Sequence, residues 1–86
     1  MSKRITRANL EALAVEINRL TGSPAETYGP DGANVGNYHI AGAYGGVALE
    51  RIRNHAGGVT SIIGGYRPKR ELYNLMLAYR DGLSAK

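Results

Sequence analysis

Residues 38–53 read Tyr38-His39-Ile40-Ala41-Gly42-Ala43-Tyr44-Gly45-Gly46-Val47-Ala48-Leu49-Glu50-Arg51-Ile52-Arg53, two strand-like runs on either side of two glycines. A Gly-Gly pair between two such runs is typical of a two-residue hairpin loop, so we predict an antiparallel hairpin that turns at Gly45-Gly46. That turn places four pairs of residues opposite each other: Tyr44 and Val47, Gly42 and Leu49, Ile40 and Arg51, and Tyr38 and Arg53.

The predicted hairpin has one largely apolar face, which ends at the Tyr38 and Arg53 pair. This face is formed by Tyr44, Val47, Leu49 and Ile40. The opposite face carries His39, Ala41, Ala43, Ala48 and Glu50. Ile52 breaks the alternation on that second face, so either a bulge corrects the pattern or both faces are partly covered.

A first helix is predicted to begin after Thr6, whose hydroxyl is a good N-terminal cap. Ile5 and Leu10 have the spacing of a hydrophobic staple, and Gly22 is a typical residue for ending the helix. The apolar stripe consists of Leu10, Leu13, Ala14, Ile17 and Leu20. The solvent side is predicted to hold Arg7, Glu11, Asn18 and Arg19.

A second helix is predicted to begin at Pro68, because proline is favoured in the first turn. Its apolar face holds Leu72, Leu75, Met76, Tyr79 and Leu83. Tyr73 and Leu77 lie beside this stripe, and they either widen it or touch a partner. Gly82 interrupts the pattern, so we expect the helix to fray near Arg80.

A second turn at residues 55–58 leads to a third strand over Val59–Ile63. The element order therefore predicts a single α+β domain over residues 1–86, with a helix, a three-stranded antiparallel sheet and a helix. Both helices are expected to pack on one face of the sheet, since that arrangement buries all three apolar surfaces.

Residues 22–36 contain two prolines and four glycines, which exclude a helix. Gly29-Pro30-Asp31-Gly32 has the chemistry of a type I turn. Two interpretations remain open for this segment. It is either a long Gly/Pro-rich loop of the functional or mobile kind, or a plain hairpin with a short edge strand near Thr27-Tyr28.

The chain of 86 residues carries 11 Lys and Arg against 7 Asp and Glu, a net charge of +4, and it has no Cys. This charge suits an acidic partner, although it is mild for a dedicated nucleic-acid binder. The lack of Cys excludes disulfides and fits a reducing cytoplasm. No apolar run approaches the ~18 residues of a membrane span. We therefore predict a cytoplasmic protein without a membrane contact.

The segment Gly64-Gly65-Tyr66-Arg67-Pro68-Lys69-Arg70 places cations where a helix favours anions. Each such cation costs about 0.3–1 kcal/mol at an exposed site, unless a phosphate or another acidic group binds there. We therefore predict an anion site at Arg67, Lys69 and Arg70, with Gly64 and Gly65 allowing close approach of the backbone. The other interpretation is that salt-screened cations are simply tolerated.

Further candidates lie on the strands and at the N-terminus. Arg51 and Arg53 form a secondary anion site or a solvated sheet edge, and an arginine beside Tyr38 is compatible with base stacking or a cation–π contact. Lys3, Arg4 and Arg7 form a basic start that joins the other cations if the helices lie side by side. The candidate partner interface consists of Tyr28, Tyr38, Tyr66 and Tyr73.

The two histidines do not indicate catalysis or metal binding. His39 is expected to lie near Glu50 on one face of the hairpin, but no nucleophile is predicted beside them. His55 lies in a turn, and neither histidine has a partner at metal-ligand spacing. We therefore predict a non-enzymatic protein without a cofactor or a metal.

Two resemblances follow from these residues. Residues 36–46 and Lys69-Arg70-Glu71-Leu72-Tyr73-Asn74 resemble a group of small, uncharacterised proteins of tailed bacteriophages, which implies expression in a bacterial cytoplasm. The element order is similar to the double-stranded-RNA-binding domain, whose last helix begins with a basic cluster that grips phosphates. Lys69 and Arg70 match that cluster, whereas Tyr73 stands where a third cation is expected. The loop at Gly45-Gly46 is also too short to enter a minor groove.

The predicted function is a phage-type accessory protein that binds nucleic-acid phosphates without catalysis. The alternative is a protein–protein inhibitor of a host enzyme or a host defence complex, with the tyrosines and the 22–36 segment at its interface. A homo-oligomer is a third possibility, suggested by the Gly-rich strands and exposed tyrosines.

Overall fold

The computed structural model describes residues 4–85, which form two helices, a three-stranded sheet and a two-stranded sheet. The elements are α1 (Arg7–Thr21), β1 (Tyr28–Gly29), β2 (Gly32–Ala33), β3 (Tyr38–Ala43), β4 (Gly46–Ile52), β5 (Val59–Ser61) and α2 (Lys69–Ser84). Strands β3, β4 and β5 pair in that order, and both pairings are antiparallel. The predicted α+β order of helix, antiparallel sheet and helix is confirmed. Within residues 4–85, no helix is both long and apolar enough to cross a membrane.

The core lies between the two helices and one face of the three-stranded sheet. Tyr38 and Ile40 of β3 share this face with Val47 and Leu49 of β4, because side chains alternate along a strand. The helices contribute Leu10, Leu13, Ala14 and Ile17 from α1, and Leu72 and Met76 from α2. Both helices therefore pack on the same face of the sheet, as predicted.

The caps of α1 are those that the sequence predicts. The Thr6 hydroxyl accepts a hydrogen bond from the backbone N–H of Asn9, and the Asn9 side chain accepts one from the N–H of Thr6. Gly22 ends the helix in the left-handed conformation with φ 70°. The predicted solvent exposure of Asn18 was wrong, because its side chain is 3% exposed and hydrogen-bonds the backbone of Tyr38.

The hairpin turns one residue earlier than predicted. β3 and β4 pair Ala43 with Gly46 and Ile40 with Leu49, so the four predicted pairs, including Tyr44 with Val47, were wrong. The observed register sets two core side chains, Ile40 and Leu49, directly opposite each other. It also places Gly46 in the strand, where a Cβ atom would lie 3.1 Å from the backbone of Arg67.

Both faces of the hairpin are partly covered by other residues. This was the alternative to a bulge as the explanation for Ile52, which breaks the apolar alternation. The pairing from Tyr38 to Ala43 is continuous, so no bulge interrupts it. Ala48 and Ile52, on the face away from the helices, are both buried. The third strand is shorter than predicted, because the chain bends after Ser61. The next two residues, Ile62 and Ile63, pack against the core.

The segment 22–36 contains the hairpin that was one of its two interpretations. Tyr28 pairs with Ala33 and Gly29 pairs with Gly32, so the predicted turn lies at Pro30-Asp31. The Asn34 side chain donates a hydrogen bond to the carbonyl of Glu26 at 2.9 Å, which ties the hairpin to the chain that precedes it.

Helix α2 is longer than predicted, since it continues through Gly82 to Ser84 instead of fraying near Arg80. The reason is tertiary contact: Arg80 forms an ion pair with Glu16 of α1 at 3.0 Å, and Leu83 packs against the core. Leu75 is exposed instead of belonging to the buried face, whereas Tyr73 and Leu77 pack against the core.

The two helices run parallel to each other. At one end, the Arg7 side chain donates to the carbonyl of Ile40 and lies against Gly42, and Arg67, just before α2, pairs with Val47 opposite Gly42. At the other end, Asn18 of α1 and Tyr79 of α2 both hydrogen-bond Tyr38. Both helices therefore begin at the end of the sheet that carries the Tyr44-Gly45 turn.

Candidate nucleic-acid interface

Residues 4–11, 44–46 and 64–71 form one end of the domain, the turn end. Its cations are Arg4, Arg7, Arg67, Lys69 and Arg70, and its carboxylates are Glu11 and Glu71. The condition for the two basic helix starts to join is met, because the helices lie side by side and Arg7 and Arg67 lie at the same end of the sheet. Lys3, which also belonged to that prediction, lies outside the described residues.

Arg67 is held firmly in the fold. Its backbone N–H and C=O form two hydrogen bonds of 2.9 Å with Val47. Its Nη1 donates to the Glu71 carboxylate at 2.6 Å, and its Nη2 donates to the Gly64 carbonyl at 3.1 Å. The Arg67 side chain is only 27% exposed. Arg67 therefore adds charge to the turn end, while much of its hydrogen-bonding capacity is used within the protein.

Gly64 and Gly65 determine the path of the backbone before α2. Gly64 and Gly65 have φ values of 62° and 92°, a conformation that favours glycine. The N–H of Gly65 donates to the Ser61 hydroxyl at 2.9 Å, so this donor is already satisfied. The glycines let the chain turn so that Tyr66 and Arg67 meet the sheet. The predicted close approach of an anion to the backbone stays a prediction for Gly64, because the Gly65 N–H is already bonded.

Lys69 and Arg70 are the exposed cations of the predicted anion site. Both lie in the first turn of α2, which begins after Pro68 and has no side-chain cap. The first-turn N–H groups of a helix and its dipole favour a negative group at this position. Within the described residues, the acidic group in this turn is Glu71, whose carboxylate is turned to Arg67.

The turn end also carries a pair of tyrosines. Tyr44 is 93% exposed and Tyr66 is 41% exposed. Their ring centroids are 5.7 Å apart, and the ring planes meet at 72°, an edge-to-face contact. Sequence reasoning named Tyr66 but missed Tyr44, because the wrong register placed Tyr44 on the buried face.

Tyr44 occupies a backbone conformation that tyrosine rarely adopts. Its φ is 55° and that of Gly45 is 73°, the pattern of a type I′ turn, in which Asn, Asp or Gly is favoured at the first position. A left-handed residue with a Cβ costs roughly 1–2 kcal/mol. The turn itself therefore does not explain why a tyrosine stands there.

The hydroxyl of Tyr66 contacts the His39 and Glu50 pair. Its hydroxyl donates to the Glu50 carboxylate at 3.4 Å, and the His39 ring lies 3.2 Å from the same carboxylate. The Glu50 charge is the main cause that raises the pKa of Tyr66, so the phenol stays protonated as a donor. The predicted closeness of His39 and Glu50 is confirmed, and Glu50 also accepts the Tyr66 hydroxyl.

The secondary cations lie away from the turn end. The Arg51 guanidinium stands over the Tyr38 ring, with its central carbon 4.8 Å from the ring centroid, and its Nε donates to the Gly36 carbonyl. This cation–π contact was one of the two interpretations for an arginine beside Tyr38. Arg53 is exposed just beyond the end of β4. The structure therefore does not bring Arg51 and Arg53 together with Lys69 and Arg70.

The four tyrosines of the predicted partner interface do not form one surface. Tyr38 is 3% exposed, and its hydroxyl lies 3.0 Å from that of Tyr79, so its assignment to an interface is corrected. Burial, together with this hydrogen bond, raises the pKa of Tyr79 to about 12. Tyr73 packs partly against the core, and Tyr28 is exposed on the small hairpin. Of the four, Tyr66 alone belongs to the turn end.

Among residues 4–85, no group of three or more His, Asp and Glu side chains is arranged to hold a metal ion. Comparisons with protein-family models, curated proteins and solved structures found no match to this chain. The resemblances to small bacteriophage proteins and to the double-stranded-RNA-binding domain therefore stay predictions.

Proposed function

We propose that this protein binds nucleic acid through its phosphates at the turn end, without catalysing a reaction. One observation carries the proposal: the parallel helices collect five cations against two carboxylates at one end of the domain. The other described residues hold four cations against five carboxylates, so the positive charge of the described chain is concentrated at the turn end.

The excess of positive charge at the turn end remains when Glu50, a nearby carboxylate, is included. Glu50 reaches Tyr66, so it can be counted with the turn end, which then holds five cations against three carboxylates. Glu50 is 15% exposed and pairs with His39. A surface of this kind attracts a polyanion, and this attraction weakens as the salt concentration rises.

The position of each cation at the helix starts assigns its role at the turn end. Arg7 and Arg67 each pair with a glutamate four residues on and also hold the backbone, so they set the local charge. Lys69 and Arg70 lie on the exposed first turn of α2, where their charge adds to that of the helix dipole. We therefore assign direct phosphate contact to Lys69 and Arg70.

A protein partner is the second candidate, and the exposed Tyr44 favours it. Tyrosine and arginine are enriched at protein interfaces, and a solvent-exposed pair of rings among arginines has that composition. In the phage-type interpretation this partner is a host enzyme or a host defence complex. Such binding depends less steeply on salt than binding to a polyanion.

The test is fluorescence anisotropy of labelled single-stranded and duplex DNA and RNA, measured over a range of salt concentrations. With the two direct contacts of Lys69 and Arg70 and up to three further phosphates near the other turn-end cations, we expect log K to fall with log salt with a slope of about −1.4 to −4.5. The absence of binding to every probe at ~50 mM salt would contradict the proposal. A search for a protein partner of the turn end would then follow.

A further inference from the structure

We infer that the turn end takes single-stranded nucleic acid, with an unpaired base stacked on the exposed Tyr44 ring, which Tyr66 contacts edge to face. This inference rests on the proposed function and names its substrate class. It starts from two side chains that the phosphate contacts do not use.

The first step is the exposure of the rings. Tyr44 is 93% exposed, so its contact with Tyr66 leaves nearly all of its surface open to solvent. Aromatic side chains beside cations are the usual platform for unpaired bases, since every base has a flat π-face. The cations bind the phosphates of any nucleic acid, whereas the rings bind unpaired bases.

The second step is the rigidity of the platform. Tyr66 is held by its hydrogen bond to Glu50 and by the pairing of the next residue, Arg67, with Val47. The backbone of Tyr44 lies in the two-residue turn between β3 and β4, and its ring contacts Tyr66 edge to face. Rings that are ordered before binding lose little conformational entropy when a base stacks on them.

The third step is the proximity of rings and cations along the chain. Tyr66 immediately precedes Arg67 and lies three residues before Lys69 and four before Arg70. A strand whose phosphates contact the start of α2 therefore passes the tyrosine pair. The left-handed backbone of Tyr44 is unfavourable for tyrosine, and the contact with Tyr66 offsets part of that cost. Base stacking gives the exposed ring a further role.

The fourth step separates single strands from duplexes. Within a duplex, each base is stacked on both faces, and an enzyme that needs a base must first extrude it at a cost of a few kcal/mol. A single strand offers its bases without that cost. The phosphate contacts therefore bind single strands and duplexes alike, whereas the tyrosine pair adds affinity for single strands alone.

The test compares Tyr44→Asn with Tyr28→Asn, a matched change at another exposed tyrosine that lies on the small hairpin. The probes are a labelled oligothymidine of about 12 nucleotides and a duplex of the same length. We expect Tyr44→Asn to weaken single-strand binding by about 5- to 150-fold and to change duplex binding by less than about twofold. Tyr28→Asn is expected to change neither affinity, and Tyr44→Trp is expected to keep single-strand binding.

Folding is checked on the same samples. Asparagine suits the first position of a type I′ turn, and this gain offsets the lost contact with Tyr66, so Tyr44→Asn should change the thermal midpoint little. Unchanged single-strand affinity, or an equal loss for both probes, would overturn the base-stacking inference and leave the phosphate proposal standing. If the wild-type protein binds neither probe, the phosphate proposal fails and the inference fails with it.

Discussion

The double variant Lys69→Glu/Arg70→Glu is expected to lose about 100-fold or more of its affinity for nucleic acid at ~0.1 M salt. The reason is counterion release, since each phosphate contact contributes a slope of ~0.9 in log K against log salt and so roughly tenfold at that concentration. Loss of two contacts removes about two such factors and reduces the slope by about 2. Salt-dependent anisotropy measures both quantities.

The matched control is Arg19→Glu/Arg53→Glu, which changes the net charge by the same amount at exposed positions outside the turn end. We expect this control to keep its affinity within about tenfold, because the loss of a distant charge is screened. Carboxylates in the first turn of α2 also suit the helix dipole, so the test variant should remain folded. Equal loss in both double variants would show that overall charge, and not the turn end, determines binding.

Replacement of Asn18 by alanine is expected to destabilise the domain by about 2–6 kcal/mol. The Asn18 Oδ1 accepts from the N–H of Tyr38 at 2.7 Å, and its Nδ2 donates to the carbonyl of the same residue at 3.0 Å. Alanine leaves both backbone groups without these partners, and each buried unsatisfied group costs about 1–3 kcal/mol. Since small domains are stable by only about 5–15 kcal/mol, this loss is a large share of the total.

Chemical denaturation of the variant measures this loss, and Asn74→Ala on the exposed side of α2 is the control. A surface substitution of that kind is expected to change stability by less than about 0.5 kcal/mol. An Asn18→Ala effect below about 1 kcal/mol would contradict the role of Asn18 as the link between α1 and β3.

The parts of the fold that follow local rules were predictable from the sequence. Thr6 and Gly22 bound α1 because their side-chain and backbone chemistry acts within a few residues. The hairpin register was not predictable, since Gly45-Gly46 and Tyr44-Gly45 are both two-residue turns and local preference favours the pair of glycines. The choice is made by distant contacts, namely the packing of Ile40 opposite Leu49 and the backbone pairing of Arg67 with Val47.

The candidate site was predictable in part for the same reason. Lys69 and Arg70 stand out because cations at a helix start break a local electrostatic preference. The contribution of Arg7 required the parallel direction of the helices, which is a tertiary property. Tyr44 was missed because its exposure depends on the register, and Asn18 was missed because helical spacing alone placed it on the solvent side.

The most direct test of phosphate binding at the turn end is an NMR titration of the ¹⁵N-labelled protein with oligothymidine, which locates the contact residue by residue. We expect the largest amide shifts within residues 44–46 and 66–71. The amides of residues 28–33 and of residues 51–54 should change little. Largest shifts at residues 51–54 or on the small hairpin, or no shift anywhere, would contradict phosphate binding at the turn end.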